Sequence, residues 1–461
     1  MSSLLQTFRL EAAERLAGAG LVLGLAGLVL LPGVGGLAAT ALVLVVAVGV
    51  PKLALLLALG ALPLHLENRS PGTQGVPATE LLILAAALGT TARWLLIRTR
   101  RGAGVERSWP ALHLPLAPSP FNWPVALFLS SAILSLVVSE YLRLSLRELR
   151  TLILEPILAY YLLLIWFPGG AMARPLVAFL LGAVGVALVG LVGLPFGLGT
   201  TEAEGVRRLQ ATYPSANHFG LVLGRALPWI VSIGWLVQRW RWWAVIGGGI
   251  VALGLLATFS LGAWLGTGAA LLVIGWVLGG RRRLPVLGGA VAGIGLLGLV
   301  LLRMDRIRSH LEPGRGTTFF RLQVWQSSLA MIRDHPVLGV GLDNFLYLYQ
   351  QRYILPGAVA EANLSHPHNL VLNLWLQLGL AGLIAGLWLL TRAVAVARGL
   401  FLASADPMVR ALALGSAASL VDFLVHGLID NSYFLPDLAV VFWLTMAVLE
   451  AMRRQNLAAG R

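Results

Sequence analysis

Long apolar runs recur along this chain from Leu16 to Met452, and no other feature constrains its fold as strongly. Backbone inside a bilayer finds no water, so each run must close its own hydrogen bonds, and the economical way to do that is a helix. Fourteen segments can be drawn, at about 16–31, 34–50, 52–66, 79–98, 121–140, 150–167, 173–194, 217–237, 242–259, 261–279, 284–302, 368–390, 408–428 and 434–452. A full crossing takes ~20 residues. Several early segments are shorter and Pro51 either separates two helices or kinks one, so the expected fold is an all-α, polytopic transmembrane bundle of 12–14 helices. Charged residues make up 12% of the chain, about half the roughly 25% usual in soluble domains. That excludes a soluble enzyme on a single anchor, a disordered chain and a disulfide scaffold. The first run follows Glu11 and Glu14 and no clear cleavage site follows it, so it reads as a retained helix.

The net charge is +14, and Lys52 is the only lysine among the basic residues. In a soluble protein such a surplus would point to nucleic acid. In a membrane protein it first reports topology, because basic loops stay in the cytoplasm. Arg98, Arg100, Arg101 and Arg107 lie in one connection, Arg239 and Arg241 in a second, and Arg281, Arg282 and Arg283 in a third. Arg392 and Arg398 flank a fourth, and Arg453 and Arg454 follow the last segment. Alternating fourteen segments puts all of these on one side, the cytoplasm, with both termini. The expected partner is therefore the bilayer of the cytoplasmic membrane, and no nucleic acid. The outward connections are then 141–149, 195–216, a tight turn at Ser260, 303–367 and 429–433. The chain divides into an N-terminal bundle (1–302), an extracytoplasmic loop domain (303–367) and C-terminal transmembrane helices (368–461).

The long loop holds seven arginines (303, 306, 308, 315, 321, 333 and 352) against five acids (305, 312, 334, 343 and 361), and Arg143, Arg147 and Arg150 lie in or beside the 141–149 connection. Arginine on the outer face works against the topology rule. Either an anionic ligand binds there or these are ordinary loop salt bridges. The absence of cysteine excludes thiolate catalysis, iron–sulfur clusters and zinc–thiolate sites. There is no nucleotide-binding glycine motif, no HExxH and no internal repeat of 20–50 residues.

Residues 317–333 read as an amphipathic helix, with Leu322, Trp325, Leu329 and Ile332 at helical spacing and Thr317 or Thr318 as N-cap. Arg321 then falls in the first turn, where it either points to solvent or, with Arg315 and free backbone N–H groups, holds an anion. His335-Pro336 ends that helix, and Gly339 and Gly341 supply turns. His366 and His368 flank Pro367 where the loop re-enters the membrane, followed by Asn369, Asn373 and Gln377 on one helix face. These histidines either cap the re-entering helix or supply a base near neutral pH. No carboxylate lies near them in sequence and no second cluster has ligand spacing, so no metal is expected.

In 213–229, Arg225 lies eight residues past Asn217 and one helix face below His218, at membrane depth. It is either a ligand group or the partner of a bundle carboxylate such as Glu140 or Glu155. Asp422, His426 and Asp430 form a polar stripe at i, i+4 and i+8, suited to a proton relay or to hydrogen bonds inside the bundle.

The run RLQVWQSSLAMIRDHPVLGVGLDNF, followed by SHPHNLVLNLWLQLGLAGL, resembles the O-antigen ligase family, which includes O-antigen polymerases. YPSANHFGLVLGRALP and HGLIDNSYFLPDLA look like two further segments seen in some members. The strong resemblance covers 317–390. It implies a GT-C-like membrane glycosyltransferase, inverting and metal-independent, with no cofactor. Such an enzyme moves a glycan from an undecaprenyl-diphosphate carrier to a hydroxyl on a glycan, lipid or protein acceptor at the outer face of the cytoplasmic membrane. It implies diphosphate-binding arginines, which Arg321 fits with Arg315 beside it, and a loop histidine that activates the acceptor, which His368 fits best and His366 second. Asn369, His218, Asn217, Asp430 and His426 would be supporting polar groups. The family often carries arginine after the serine of TFSLGAWLG, where this chain has Leu261. Arg225 is the expected replacement. The other readings are a polysaccharide polymerase, a non-enzymatic transporter of an anion or lipid-linked sugar, and a non-catalytic assembly protein.

Overall fold

The computed structural model describes residues 20, 34–65, 77–99, 118–203, 205–282, 284–285, 288 and 316–459. Most of the expected segments 16–31 and 284–302, and all of the arginine-rich stretch 303–315 with Arg315, lie outside those residues. The helices are α1 (Val34–Gly49), α2 (Pro51–Ala61), α3 (Ala78–Thr99), α4 (Asn122–Ser135), α5 (Leu142–Glu148), α6 (Glu155–Trp166), α7 (Ala173–Gly193) and α8 (Ala216–Leu236). They continue with α9 (Arg241–Ala257), α10 (Leu261–Leu278), α11 (Gly316–Asp334), the single turn α12 (Phe345–Leu348), α13 (Leu370–Ala403), α14 (Pro407–Gly427) and α15 (Pro436–Ala459). Among the described residues, eight helical stretches are long and apolar enough to cross a membrane, and Pro51–Leu64 and Asn122–Val138 are shorter apolar helices. The last segment, α15, carries Asp437, Glu450, Arg453 and Arg454. It is nonetheless buried from Asp437 to Met452, with Glu450 bound to both arginines at 2.6–3.0 Å.

Two connections expected as loops have structure. Residues 141–149 belong to a helical stretch, Leu142–Trp166, that passes from α5 through a wider turn at Leu149–Leu154 into α6. Pro156 has no N–H to give the carbonyl four residues back. That carbonyl, on Leu152, accepts instead from the buried Tyr433 hydroxyl at 2.9 Å. The 195–216 connection contains an antiparallel hairpin, β1 (Thr200–Ala203) and β2 (Val206–Leu209), with Thr200 opposite Leu209 and Ala203 opposite Val206. Gly205 supplies the positive φ its turn requires.

The inner bundle forms where α8, α10 and α14 meet, and glycines at four-residue spacing let them approach closely. A Cβ at Gly220 would stand 2.8 Å from Ala263 Cβ, and one at Gly224 would stand 2.8 Å from Asp422 Oδ1. On α10, a Cβ at Gly262 or Gly266 would come within 2.6 Å of His426 or Asp422 respectively. Backbones packed this tightly leave the polar side chains of α14 wedged between helices.

The helix expected to run unbroken through 368–390 is broken. Gly379 has φ 69° and ψ −175° inside α13. The loop after α11 fills the gap: Val340 N donates to Leu376 O at 2.7 Å and Leu380 N donates to Val337 O at 3.0 Å. Gly339, also at positive φ, leaves no room for a Cβ against the carbonyl of Trp375. The broken ladder is thus made good by protein, the condition under which lipid-depth backbone tolerates a break.

Helix α11 begins at Gly316, before both threonines, so neither is its N-cap and Arg321 sits in its second turn. Its buried face is Val324, Ser327, Ser328, Met331 and Ile332, whereas Leu322 and Leu329 are 49% and 47% exposed. The expected apolar stripe is therefore displaced by about one residue, because two serines take core positions. Ser327 Oγ donates to Tyr353 O at 2.6 Å and Ser328 Oγ to Val324 O at 2.7 Å. With Phe345, Leu348, Tyr349, Ala358 and Leu376, this face makes a satellite core that docks the loop onto α13.

Candidate functional site at the loop–bundle junction

Three groups converge where the loop meets the turn after α14. His368 Nδ1 lies 3.0 Å from Asp430 Oδ1, and His366 Nε2 lies 3.8 Å from the same oxygen. The two imidazoles are 4.4 Å apart between centroids, and Ser365 Oγ is 2.9 Å from His366 Nδ1. The side chains of His366 and His368 are 21% and 24% exposed, that of Asp430 only 9%. The pocket is thus closed behind the carboxylate and open at the rings.

Local sequence explains the placement. Pro367 disfavours helix at His366. His368 takes φ 49°, an uncommon value for a non-glycine residue. Neighbours hold it there. Trp325 Nε1 donates to Pro367 O at 2.9 Å. Asn369 caps α13, accepting from Val371 N and Leu372 N at 3.0 and 3.1 Å, while its Nδ2 donates to Leu428 O at 3.0 Å. Asn369 thus ties the histidine segment to the turn that carries Asp430. Below it, Asn373 donates to Asn431 Oδ1 at 3.4 Å and Gln377 to Asn373 Oδ1 at 2.8 Å.

Burial pushes the Asp430 carboxyl up, but the neighbouring His366 and His368, the latter hydrogen-bonded to it, and the charges of His368 and His426 outweigh it and hold the group well below the usual carboxylate range. Burial lowers the His366 imidazole against the pull of Asp430. An ionised Asp430 accepts from His368 Nδ1–H, which fixes the tautomer and leaves Nε2 as the free lone pair. The chemistry available is proton abstraction by His368 from a group in the opening. The donor atoms of His366, His368 and Asp430 lie within 4.8 Å of one another, so the set could also hold a metal ion. The same is true of a second set, His65, His218 and Asp437. Sequence spacing anticipated neither carboxylate-completed cluster, because the partners are 62 and 219 residues apart.

Arg321 sits on α11 one turn before Trp325, on the face that meets the histidine segment. It is half-buried, within electrostatic range of His426, and among the described residues it has no carboxylate partner. Three arginines of the connections expected to face outward are paired: Arg147 with Asp343 at 3.2 Å, Arg150 with Glu80 and Glu155, and Arg352 with Glu140 at 2.8 Å. For these three the salt-bridge explanation holds, and of the arginines left without a carboxylate partner among the described residues, Arg321 is the one a turn from Trp325, which holds the histidine segment.

Arg225 departs from expectation. It is 3% exposed and ion-paired with Asp422, not with Glu140 or Glu155, and its guanidinium lies 5.0 Å from the Phe423 ring. Thr267 Oγ1 donates to Asp422 at 3.2 Å. A guanidinium enclosed this way is the partner of a bundle carboxylate, the second of the two roles expected for it. His426 is buried beside Gly262, both ring nitrogens without a hydrogen bond. Asn217 accepts from Arg208 at 2.6 Å, and His218 faces Asp437, so neither joins the His368 group.

Residues 246–387 match the family described as O-antigen ligase. That segment is similar to the O-antigen ligase family. The matched segment contains α10, α11, Arg321, His366 and His368, while Asp430, on which both histidines converge, comes from outside it. The match supports ligase- or polymerase-type glycan transfer in general, and with eight membrane-length helices among the described residues the protein is a multi-pass membrane protein. No curated protein matches the chain.

Proposed function

We propose that this protein transfers a glycan from an undecaprenyl-diphosphate carrier to an acceptor hydroxyl at the outer face of the cytoplasmic membrane, by an inverting, metal-independent step. The observation that carries the reading is the His368–Asp430 pair at 3.0 Å, with the second imidazole nitrogen left free. His368 Nε2 takes the proton of the acceptor hydroxyl as its oxygen attacks the anomeric carbon. The bond from that carbon to the diphosphate oxygen breaks, and the electron pair leaves with the diphosphate. Asp430 orients His368 and stabilises the imidazolium that forms. Arg321 neutralises charge on the leaving group, as a guanidinium does without a metal. A lipid donor accounts for a site at the junction of bundle and loop rather than in a soluble domain. The basic connections on the opposite side support the outward assignment. The test is incubation of purified protein with an undecaprenyl-diphosphate oligosaccharide and a panel of glycan, lipid and protein acceptors. Release of undecaprenyl diphosphate that survives chelator and is lost in His368→Ala supports the reading. No turnover with any acceptor, with donor moved across vesicles instead, would favour transport.

A further inference from the structure

The second cluster lies apart from the reacting groups. His65 follows the 3-10 turn Leu62–Leu64 at the end of α2, His218 is in the first turn of α8, and Asp437 is in the first turn of α15. Neither His218 nor Asp437 hydrogen-bonds to His366, His368 or Asp430. We propose that His65, His218 and Asp437 form a binding site for one divalent transition-metal ion, with zinc the best match, which pins α2, α8 and α15 together.

Four observations carry this. One donor atom from each residue lies within 4.8 Å of the other two, the separation at which all three can reach a shared ion. His218 Nε2 is 2.9 Å from both carboxylate oxygens of Asp437. A single N–H cannot point well at two oxygens at once, whereas a cation held by both groups is compatible with a symmetric approach. His65 takes φ 46° and packs against the cluster, stacked on Tyr213 at 4.9 Å and edge-on to His218 at 5.4 Å. Tyr213 closes over the cluster. It is 2% exposed, its ring lies 4.7 Å from His218, and its hydroxyl faces Asp437 without a hydrogen bond of good geometry. A buried hydroxyl left this way is costly. A metal-bound water in the fourth position would satisfy it.

Two imidazoles and one carboxylate suit zinc, which accepts such borderline donors in tetrahedral sites. Neutral imidazoles and a single carboxylate leave one positive charge on the loaded site, so the ion's affinity must come from the donor set and the enclosure. The helices it joins are widely separated in sequence, and α8 also carries Arg225 in the bundle centre. The ion is therefore assigned a structural role.

The experiment uses full-length protein in detergent, loaded with zinc, desalted and analysed by elemental mass spectrometry, with melting followed before and after chelator. Wild type and His368→Ala should retain stoichiometric zinc, while His65→Gln should fall to background. Chelator should lower the melting temperature of wild type and leave that of His65→Gln unchanged. No stoichiometric zinc in monodisperse wild type, or equal retention in His65→Gln, would overturn the proposal. Loss in His368→Ala with retention in His65→Gln would overturn it by moving the ion to the other cluster. Should His65→Gln fail to fold, cobalt titration of wild type decides. A saturable visible spectrum of tetrahedral cobalt with nitrogen and oxygen donors supports the site, and its absence refutes it.

Discussion

Breaking the Arg225–Asp422 pair distinguishes a structural arginine from a substrate ligand. The side chains are 4% and 0% exposed, and among the described residues the only other polar contact to the carboxylate is Thr267 Oγ1 at 3.2 Å. Arg225→Met leaves a buried carboxylate with one hydroxyl for support. Asp422→Asn leaves a buried guanidinium facing a neutral amide. Removing one partner of a buried pair costs about 3–5 kcal/mol, whereas replacing both by neutral groups is often close to neutral. Each single variant should therefore melt well below wild type, and the double variant should recover most of the loss. The coupling, read from a double-mutant cycle on thermal unfolding in detergent, should be about 3 kcal/mol. The glycine cradle sharpens the expectation, because Gly224 and Gly266 leave the Asp422 side chain no other place to go. Single variants that melt like wild type but no longer bind the lipid donor would refute this account and restore Arg225 as a ligand.

Three further outcomes follow from the same geometry. Gly379→Ala should destabilise by at least the roughly 1–2 kcal/mol of a left-handed non-glycine residue, since its Cβ would also meet the Leu338 backbone at 2.8 Å; unchanged melting would show that the break in α13 is dispensable. Arg321→Ala should weaken donor binding by roughly 10–100-fold, the worth of a charge-assisted hydrogen bond of about 1.5–3 kcal/mol, with little change in melting; equal donor affinity in equilibrium binding would remove Arg321 from the diphosphate site. Asp430 is held below the usual carboxylate range, so its ties contribute stability above the unfolded value of ~3.9 and are lost only as pH falls through the lower folded value. The melting gap between wild type and Asp430→Asn should accordingly persist from pH 8 to pH 5, and a gap that closes by pH 5 would contradict the assignment.

The helical bundle was legible because apolar runs leave backbone few options, and the O-antigen ligase assignment was legible because the loop motif is contiguous. Arg321, His366 and His368 could be picked from that motif, and Asp430 from its place on a polar stripe. What the stripe could not show was that α14 ends at Gly427, so that Asp430 turns out toward His368. Periodicity also misread α11, where Ser327 and Ser328 satisfy their hydroxyls on nearby carbonyls and so occupy the core in place of Leu322 and Leu329. Arg225 looked like a ligand because its carboxylate partner is 197 residues away. The His65–His218–Asp437 group had no readable spacing at all. An acid opening an apolar segment, as Asp437 does, was its only available signal.

The central claim is that His368 is the base, and the most direct measurement is undecaprenyl-diphosphate release by His368→Ala under conditions where donor binding is measured in parallel. The account predicts donor affinity close to wild type and release slowed on the order of 10²–10⁴-fold, the contribution of a positioned general base. Release within a few-fold of wild type, with the protein folded and donor bound, would contradict it.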